Sequence, residues 1–470
     1  MMFPMQRRTF LASLAAASAV PGALAGQRPN IILIMTDDQG YGDVARHGNP
    51  VILTPHLDRL HDESVRLMDF HVSPTCAPTR SSLLTGRHEF KNGITHTILE
   101  RERMSLKSTT IAQVLKQAGY ATGIFGKWHL GDGAPYQPGK RGFDEVFIHG
   151  CGGIGQKYEG TCADAPGNSY FDPYILHNGR FEKTKGYCTD VFFARAMDWM
   201  GERKRPFFAY ITPNAPHAPL DCPPEYEAKY TGKVPNAATA KYFGMVTNID
   251  DDLGRLLEFL KAKNIERETL VIFMNDNGGT GGVRVFNDGM HGAKGTPYLG
   301  GTRAMGFFRW PGTLKAAPVK ALAAHVDLFP TLAALAGAKV PASPTLDGRS
   351  LVPMLENPSA AWPDRYLFTH VGRWAKGKAA ESKYAKCRVR NTRYSMVNLG
   401  AQWELYDLAV DRGEKFDLAK QRPQVVKEMS AAYDKWWDEV LPLLENENAV
   451  PPPVPPYHEL FQKQYGGAKP

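Results

Sequence analysis

Four apolar runs constrain this chain more than any other feature. They occupy 30–35, 121–125, 207–211 and 270–274. Apolar residues at successive positions suit a strand buried on both faces, as in a parallel sheet covered by helices. Each run leads, directly or through one short loop, into a polar cluster: Asp37-Asp38, Lys127-Trp128-His129, Pro216-His217 and Asp276-Asn277. Ligands in open α/β sheets sit at the carboxyl ends of the strands. If the four strands are parallel neighbours, Asp37, Asp38, Lys127, His129, His217, Asp276 and Asn277 meet on one edge.

Helical patterns lie between the runs. Thr54-Pro55 reads as the cap and first residue of a helix with Leu57, Leu60 and Val65 inward. Ser108 reads as the cap of another that ends at Gly119, and Leu253, Leu256, Leu257 and Leu260 mark a third. Residues 136–186 and 278–301 are Gly-rich and read as loops over the same edge; the second holds His291 and Lys294. From about Tyr366 the texture changes. Residues 388–398 and 403–407 read as short antiparallel strands, 423–441 as a helix and 451–456 as an extended proline-rich tail. The expected architecture is α/β: a large, mainly parallel sheet between helices over 27–365, then a smaller antiparallel sheet plus helix over 366–470.

Within this frame one stretch, Ser73 to Arg87, carries reactive chemistry. Pro78 suits a first helical turn, Leu83 and Leu84 continue the helix, and Gly86 stops it. Cys76 therefore sits at a helix N-terminus, where backbone N–H groups favour negative charge. Arg80, four residues on, returns to the same face. Asp37, Asp38, Asp276 and Asn277 are all oxygen donors, three of them carboxylates. Either pair alone reads as a turn or a cap; two pairs at strand ends suit a hard cation, Ca²⁺ or Mg²⁺, rather than zinc or copper.

Composition limits the rest. At 470 residues, 43% hydrophobic and 22% charged, the chain is long enough for one large core and a smaller unit. A net charge of +8 is modest and suits anionic substrates and a bland basic surface equally. No long basic run with interleaved aromatics argues for nucleic acid, and no stretch is long and apolar enough to span a bilayer. Residues 1–25 read as an export signal: Arg7-Arg8-Thr9-Phe10-Leu11, an apolar Ala/Ser-rich run, then Ala23-Leu24-Ala25 as cleavage site. The paired arginines favour the twin-arginine route over an ordinary secretory one, so the expected location is the bacterial periplasm or beyond, with the export machinery as a partner. An oxidising compartment permits disulfides among Cys151, Cys162, Cys188, Cys222 and Cys387, in no readable pairing.

The stretch Cys76-Ala77-Pro78-Thr79-Arg80, with Leu84-Thr85-Gly86-Arg87 behind it, resembles the sulfatase signature. Thr54-Pro55-His56-Leu57-Asp58-Arg59-Leu60, Gly126-Lys127-Trp128-His129-Leu130-Gly131, Gly292-Ala293-Lys294-Gly295-Thr296 and Leu405-Tyr406-Asp407-Leu408 resemble further motifs of that family, in the same chain order. The resemblance implies an alkaline-phosphatase-like fold and an arylsulfatase-like hydrolase of sulfate esters. It implies that a maturation enzyme converts Cys76 to formylglycine, whose hydrate is the nucleophile. It implies Ca²⁺ held by Asp37, Asp38, Asp276, Asn277 and the modified Cys76, with Mg²⁺ the lesser alternative. Arg80 would stabilise the hydrate, Lys127 and Lys294 bind sulfate oxygens, His129 take the hydrate's proton, and His217 protonate the leaving oxygen. One hydrate hydroxyl would attack sulfur, and the other would later expel sulfate; a serine lacks that second hydroxyl.

One position departs from the family. Leu299 precedes Gly300-Gly301 where a glutamate is usual, so a supporting polar contact is lost or replaced. For the substrate, His291 and His370 stand where loops could line the pocket. Lys376, Lys378, Lys383, Lys386, Arg388 and Arg390, with Trp374 and Tyr384, form a basic stretch that reads equally as subsites for a sulfated sugar polymer or as a solvated rim. A sulfated carbohydrate is the expected substrate class. Two rival readings remain: a phosphonate or phosphate monoester hydrolase with the same site, and a non-catalytic sulfated-glycan-binding protein that keeps the Cys76 thiol.

Overall fold

The computed structural model describes residues 23–156 and 164–466. The export-signal arginines and apolar run fall in 1–22, and Cys162 in 157–163, so both lie outside the described residues. Eleven strands form one sheet among the described residues. They are β1 (Asn30–Thr36), β2 (Val65–His71), β3 (Ala121–Lys127), β4 (Glu145–His149), β5 (Tyr174–His177), β6 (Arg180–Lys183), β7 (Phe207–Thr212), β8 (Thr269–Asn275), β9 (Arg303–Ala304), β10 (Gly306–Arg309) and β11 (Ala317–Ala324). Their order is β11-β2-β10-β8-β1-β7-β3-β4-β5-β6, with β9 beside β2. The four apolar runs are thus consecutive neighbours, β8-β1-β7-β3, and all are parallel.

Why β1 is apolar throughout follows from the layers. Ile31, Leu33 and Met35 enter one core, with Leu83, Leu84, Val114 and Leu332 from three helices. Ile32 and Ile34 enter the other, with Leu57, Phe192, Leu253 and Leu257. Side chains alternate along a strand, so a sheet covered on both faces needs both parities apolar. Register then sets the edge. Thr36 pairs with Asn275, and the N–H of Asp276 donates to the carbonyl of Thr36 at 3.0 Å. Asp37 and Asp276 therefore emerge side by side.

Several local expectations change. The cap at Ser108 is Thr110, which forms a reciprocal capping box with Gln113 for the helix Ile111–Gln117; the Ser108 hydroxyl donates to Asn92 instead. Thr54 precedes the helix Pro55–Asp62 without capping it. The Asp250 carboxylate accepts from the N–H groups of His56 and Leu57 in its place. Val65 opens β2 rather than ending that helix. The Gly-rich span 136–186 carries β4, β5 and β6 as well as loops. Cys76, Cys151, Cys188, Cys222 and Cys387 are all buried free thiols, so no disulfide forms among them.

The smaller sheet is antiparallel throughout: β12 (Leu367–His370), β13 (Cys387–Arg390), β14 (Tyr394–Asn398) and β15 (Trp403–Asp407). One face packs on the helix Pro423–Val440 through Val389, Met396, Tyr433 and Trp437. Two cations of the basic stretch, Arg388 and Arg390, are not surface groups. Arg388 and Arg390 alternate with Cys387 and Val389, so they point at the large sheet and are buried. Arg390 pairs with Asp69 at 2.8 Å, and Arg388 donates to Thr302 at 2.7 Å. These contacts dock one sheet on the other. Lys383 pairs with Asp434, Lys378 with Glu381, and Tyr384 donates to Asp434. Trp374 is buried against Phe90 and Trp437. Lys376 and Lys386 are exposed. Beyond the proline-rich tail a further helix, Pro456–Tyr465, returns to the large unit, where Phe461 packs on Phe181.

His370 is likewise a core residue and not a pocket wall. Only 2% of it is exposed, and its ring accepts from Gly372 N–H and contacts the Ser382 carbonyl. Burial pushes its imidazole down to about 4 from an ordinary 6.5. The neutral ring's contribution is fully present above the unfolded value and is lost as pH falls towards 4. His370→Phe removes that titration. Its unfolding free energy is expected to vary less than the parent's between pH 6.5 and pH 4, by an amount on the order of 3 kcal/mol. Denaturant unfolding at several pH values measures the difference in slope.

Candidate active site

The helix Cys76–Thr85 begins in the cleft at the sheet's carboxyl edge and is buried at every position. Gly86 closes it in the left-handed conformation, φ 67°. Cys76 Sγ, one oxygen each of Asp37 and Asp38, and one ring nitrogen of His217 all lie within 4.8 Å of one another. Arg80 returns to this point as its spacing requires and donates to Asp276 Oδ2 at 2.9 Å. Lys127 Nζ donates to Asp37 Oδ2 at 2.5 Å. Lys294 Nζ donates to Asp38 Oδ1. Asn277 Nδ2 donates to the same oxygen at 2.9 Å. The structure thus joins all four strand ends, the signature helix and the 278–301 loop in one cluster.

Three carboxylates face three cations in near-complete burial. Burial works against the Asp38 charge, but Lys294, His217 and Asn277 outweigh it and hold the carboxyl below its usual range. At Asp276 burial and the neighbouring Asp37 win over Arg80 and push the carboxyl up to about 6. Burial pushes the Cys76 thiol up to about 12, so the unmodified side chain stays protonated and is a weak nucleophile. Two oxygens in this polar cluster, Asp37 Oδ1 and Asn277 Oδ1, are buried with no hydrogen-bond partner. Orphaned acceptors of that kind are expensive unless something binds them. A hard cation among the oxygens of Asp37, Asp38, Asp276 and Asn277 fits this donor set.

The two histidines are set by their partners. His129 Nε2 lies 2.7 Å from the Thr97 carbonyl, so that nitrogen carries the proton and Nδ1 is the bare lone pair. His129 Nδ1 is buried without a partner. His217 Nδ1 lies 2.6 Å from the Ala218 carbonyl, leaving Nε2 to face Asp38 Oδ2 at 3.8 Å. Burial lowers both, His217 to about 4 and His129 well below the usual value, with Lys127 adding to the effect. Asp38 and His129 hold left-handed backbone angles, φ 70° and 58°, a conformation that clusters at functional sites.

Several supporting residues left no readable signal. The Thr97 carbonyl orients His129, Tyr242 donates to the Asp38 carbonyl at 2.8 Å, and Tyr170 to that of His217 at 2.7 Å. Backbone acceptors are invisible in side-chain chemistry. Gly126 is the exception: its φ is 124°, and a Cβ there would lie 2.0 Å from the Thr212 carbonyl, so the glycine before Lys127 is obligatory. His291 is exposed and stacks on Tyr298 with centroids 3.8 Å apart. Leu299 joins the apolar core beside Leu408. Its N–H donates to the buried Glu414 carboxylate at 2.7 Å, which also accepts from Ser395. A glutamate from the smaller unit thus reaches the turn where the chain itself has leucine.

A buried cluster of paired charges at the carboxyl edge of a parallel sheet, with a cysteine at a helix N-terminus beside it, is the arrangement of an α/β enzyme site. A family model described as Sulfatase matches residues 29–338, and one described as N-sulphoglucosamine sulphohydrolase, C-terminal, matches residues 300–436. The chain belongs to the sulfatase family and hydrolyses sulfate esters. It is 32% identical to human arylsulfatase A, with 87% of this chain and 86% of that protein aligned. It is 29% identical to mouse arylsulfatase J, over 93% and 78%. Among solved structures it resembles Ps i-CgsB in complex with k-i-k-neocarrahexaose, at 29% identity and a TM-score of 0.79, covering 93% of this chain and 97% of that one. A phosphonate monoester hydrolase of Agrobacterium radiobacter, at 20% identity and TM-score 0.63 over 89% and 96%, shares the fold. No helix among the described residues is long and apolar enough to cross a membrane.

Proposed function

We propose that the protein is an exported, Ca²⁺-dependent sulfatase acting on a sulfated carbohydrate, with Cys76 matured to formylglycine. The observation that carries this reading is the charge balance around Cys76: three buried carboxylates, each on its own cation. A divalent cation added to that neutral set leaves two positive charges to be met, which suits an anionic ester and an ionised nucleophile. Asp37, Asp38, Asp276 and Asn277 would hold the ion, which when bound polarises sulfate oxygens and acidifies the nucleophile. Formylglycine supplies a second hydroxyl through its hydrate.

The remaining roles belong to the chain's own side chains. Arg80 and the helix N-terminus offset negative charge at position 76. Lys127, on Asp37, and Lys294, on Asp38, would bind sulfate oxygens. His129, its Nε2–H fixed on Thr97, takes a proton at Nδ1. His217 is neutral at rest; a proton taken up at Nε2 beside Asp38 is then given to the leaving oxygen. The carbohydrate class is supported by the likeness to a structure solved in complex with k-i-k-neocarrahexaose. We further propose 27–365 as the catalytic unit, 366–470 as the smaller unit with a proline-rich tail whose last helix returns to the large unit, and export through the signal at 1–25.

Protein made with a maturation enzyme tests the reading. It should turn over an aryl sulfate at least about a hundredfold faster than the matching aryl phosphonate, and one member of a panel of sulfated saccharides faster still. Peptide mass spectrometry across Thr75 to Arg80 reads the conversion. A chain that keeps the Cys76 thiol in its native host, yet binds sulfated glycan, is a binding protein. Glu414→Ala adds a finer check. It frees the N–H of Leu299, five residues beyond Lys294, so kcat/KM should fall about tenfold with KM rising; Glu414→Gln should recover much of that.

A further inference from the structure

The opposite edge of the large sheet carries a second charged feature. A cleft of about 670 Å³ opens where β1, β7 and β8 begin, with Asn30, Phe207 and Glu268 among its walls. Six cations line it, Arg28, Arg203, Lys204, Arg205, Lys263 and Arg267, and Glu268 is the one acid among the lining residues. Arg203 pairs with Glu202 and Arg205 with Asp144. Arg28 turns its guanidinium to the carbonyls of Ala118 and Ala336. Lys204, Lys263 and Arg267 are exposed and have no carboxylate partner among the described residues.

Cations gathered in a concave surface repel one another, and the low-dielectric walls focus their field. Even with Arg203 and Arg205 paired and Glu268 in the wall, cations remain in surplus in this cleft. A linear polyanion that spans several of these side chains relieves the repulsion and releases small counter-ions. The concave shape does not suit a flat bilayer. The two aromatic walls, Phe207 and Trp310, are 2% and 5% exposed, so they offer no platform for stacking bases. What remains to be recognised is a row of anionic groups on a flexible chain.

We propose that this cleft is a second, non-catalytic binding site for sulfated polysaccharide. The inference rests on the reading of the substrate as a sulfated carbohydrate. β1 is seven residues long, so roughly 23 Å separates the cleft from Asp37, and no single sugar sulfate reaches both. The cleft therefore acts by retention. It holds one region of a polymer and raises the local concentration of ester groups near the enzyme.

The test compares two variants of the full chain. One carries Lys204→Ser, Lys263→Ser and Arg267→Ser. The control carries Lys185→Ser, Lys420→Ser and Lys427→Ser, exposed lysines on other surfaces. At low salt the cleft variant should bind polymeric carrageenan at least about tenfold more weakly than both parent and control, with a shallower salt dependence. Its turnover of a small aryl sulfate should equal the parent's. Equal losses in the two variants, or no loss in either, overturn the proposal. So does displacement of carrageenan by duplex DNA or anionic vesicles at lower charge concentration than by sulfated polymer. If no protein in the set cleaves aryl sulfate while carrageenan binding still depends on the cleft, the catalytic reading fails and the binding site stands.

Discussion

Alanine at position 76 is expected to lower kcat/KM for an aryl sulfate by at least about 10⁴-fold while leaving the fold intact. The side chain is 3% exposed at the start of a fully buried helix, and losing one buried sulfur costs about 1 kcal/mol. The residual charges of Arg80, Lys127 and Lys294 still bind the ester, so KM should change far less than kcat. Serine at the same position separates the two halves of the reaction. Its single hydroxyl can attack sulfur once: the bond from sulfur to the alcohol oxygen breaks, and His217 delivers a proton to that oxygen. The sulfuryl group then stays on the serine, because no second hydroxyl remains to expel it. The expected result is release of at most one equivalent of alcohol per chain and a protein heavier by one sulfuryl group. Alanine retaining activity within tenfold of the parent would falsify the assignment of the nucleophile.

What could be read from the sequence follows from which signals are one-dimensional. β1, β3, β7 and β8 were readable because a strand buried on both faces is apolar at consecutive positions, and their polar ends mark the edge by themselves. Arg80 was readable because helical spacing fixes its face. The Asp37-Asp38 and Asp276-Asn277 pairs were readable from their places at strand ends, whereas Lys294 was found only through a family motif. Elsewhere the signal depended on partners far along the chain. Arg388 and Arg390 look like a basic rim until Asp69 and Thr302 are seen to receive them. His370 looks like a pocket residue until Trp374 and Trp437 close over it. The helix Ala237–Ala262 showed only its last turns, because its middle buries Asn248 and Asp250 among apolar residues and so blurs the amphipathic pattern. Ser108 and Thr110 are equally good caps by residue type; Gln113, which closes the box with Thr110, decides between them. Glu414 could not have been found at all, since nothing near Leu299 in the sequence points to a residue in the smaller unit.

Chelation and substitution at Asp276 are expected to part activity from stability. Without a divalent ion each buried carboxylate still faces a cation: Asp37 with Lys127, Asp38 with Lys294, Asp276 with Arg80. Removing the ion therefore leaves no uncompensated charge. A chelator should abolish turnover, by at least about 10³-fold, yet move the unfolding midpoint by only about a few degrees. Asp276→Asn does the reverse damage as well. It replaces the near partner of the Arg80 guanidinium, 1% exposed, by a neutral amide and leaves only Asp37 at 4.0 Å, and breaking a buried pair from one side costs about 3–5 kcal/mol. Adding Ca²⁺ back should restore the chelated parent and leave the variant inactive. Calorimetric titration with Ca²⁺ supplies a readout independent of turnover: one site in the parent, a much weaker one in Asp276→Asn. Unfolding of the parent by chelator alone would mean that the lysines and arginine do not balance the carboxylates. The charge argument for a divalent ion and an anionic ester sharing this pocket would then fail with it.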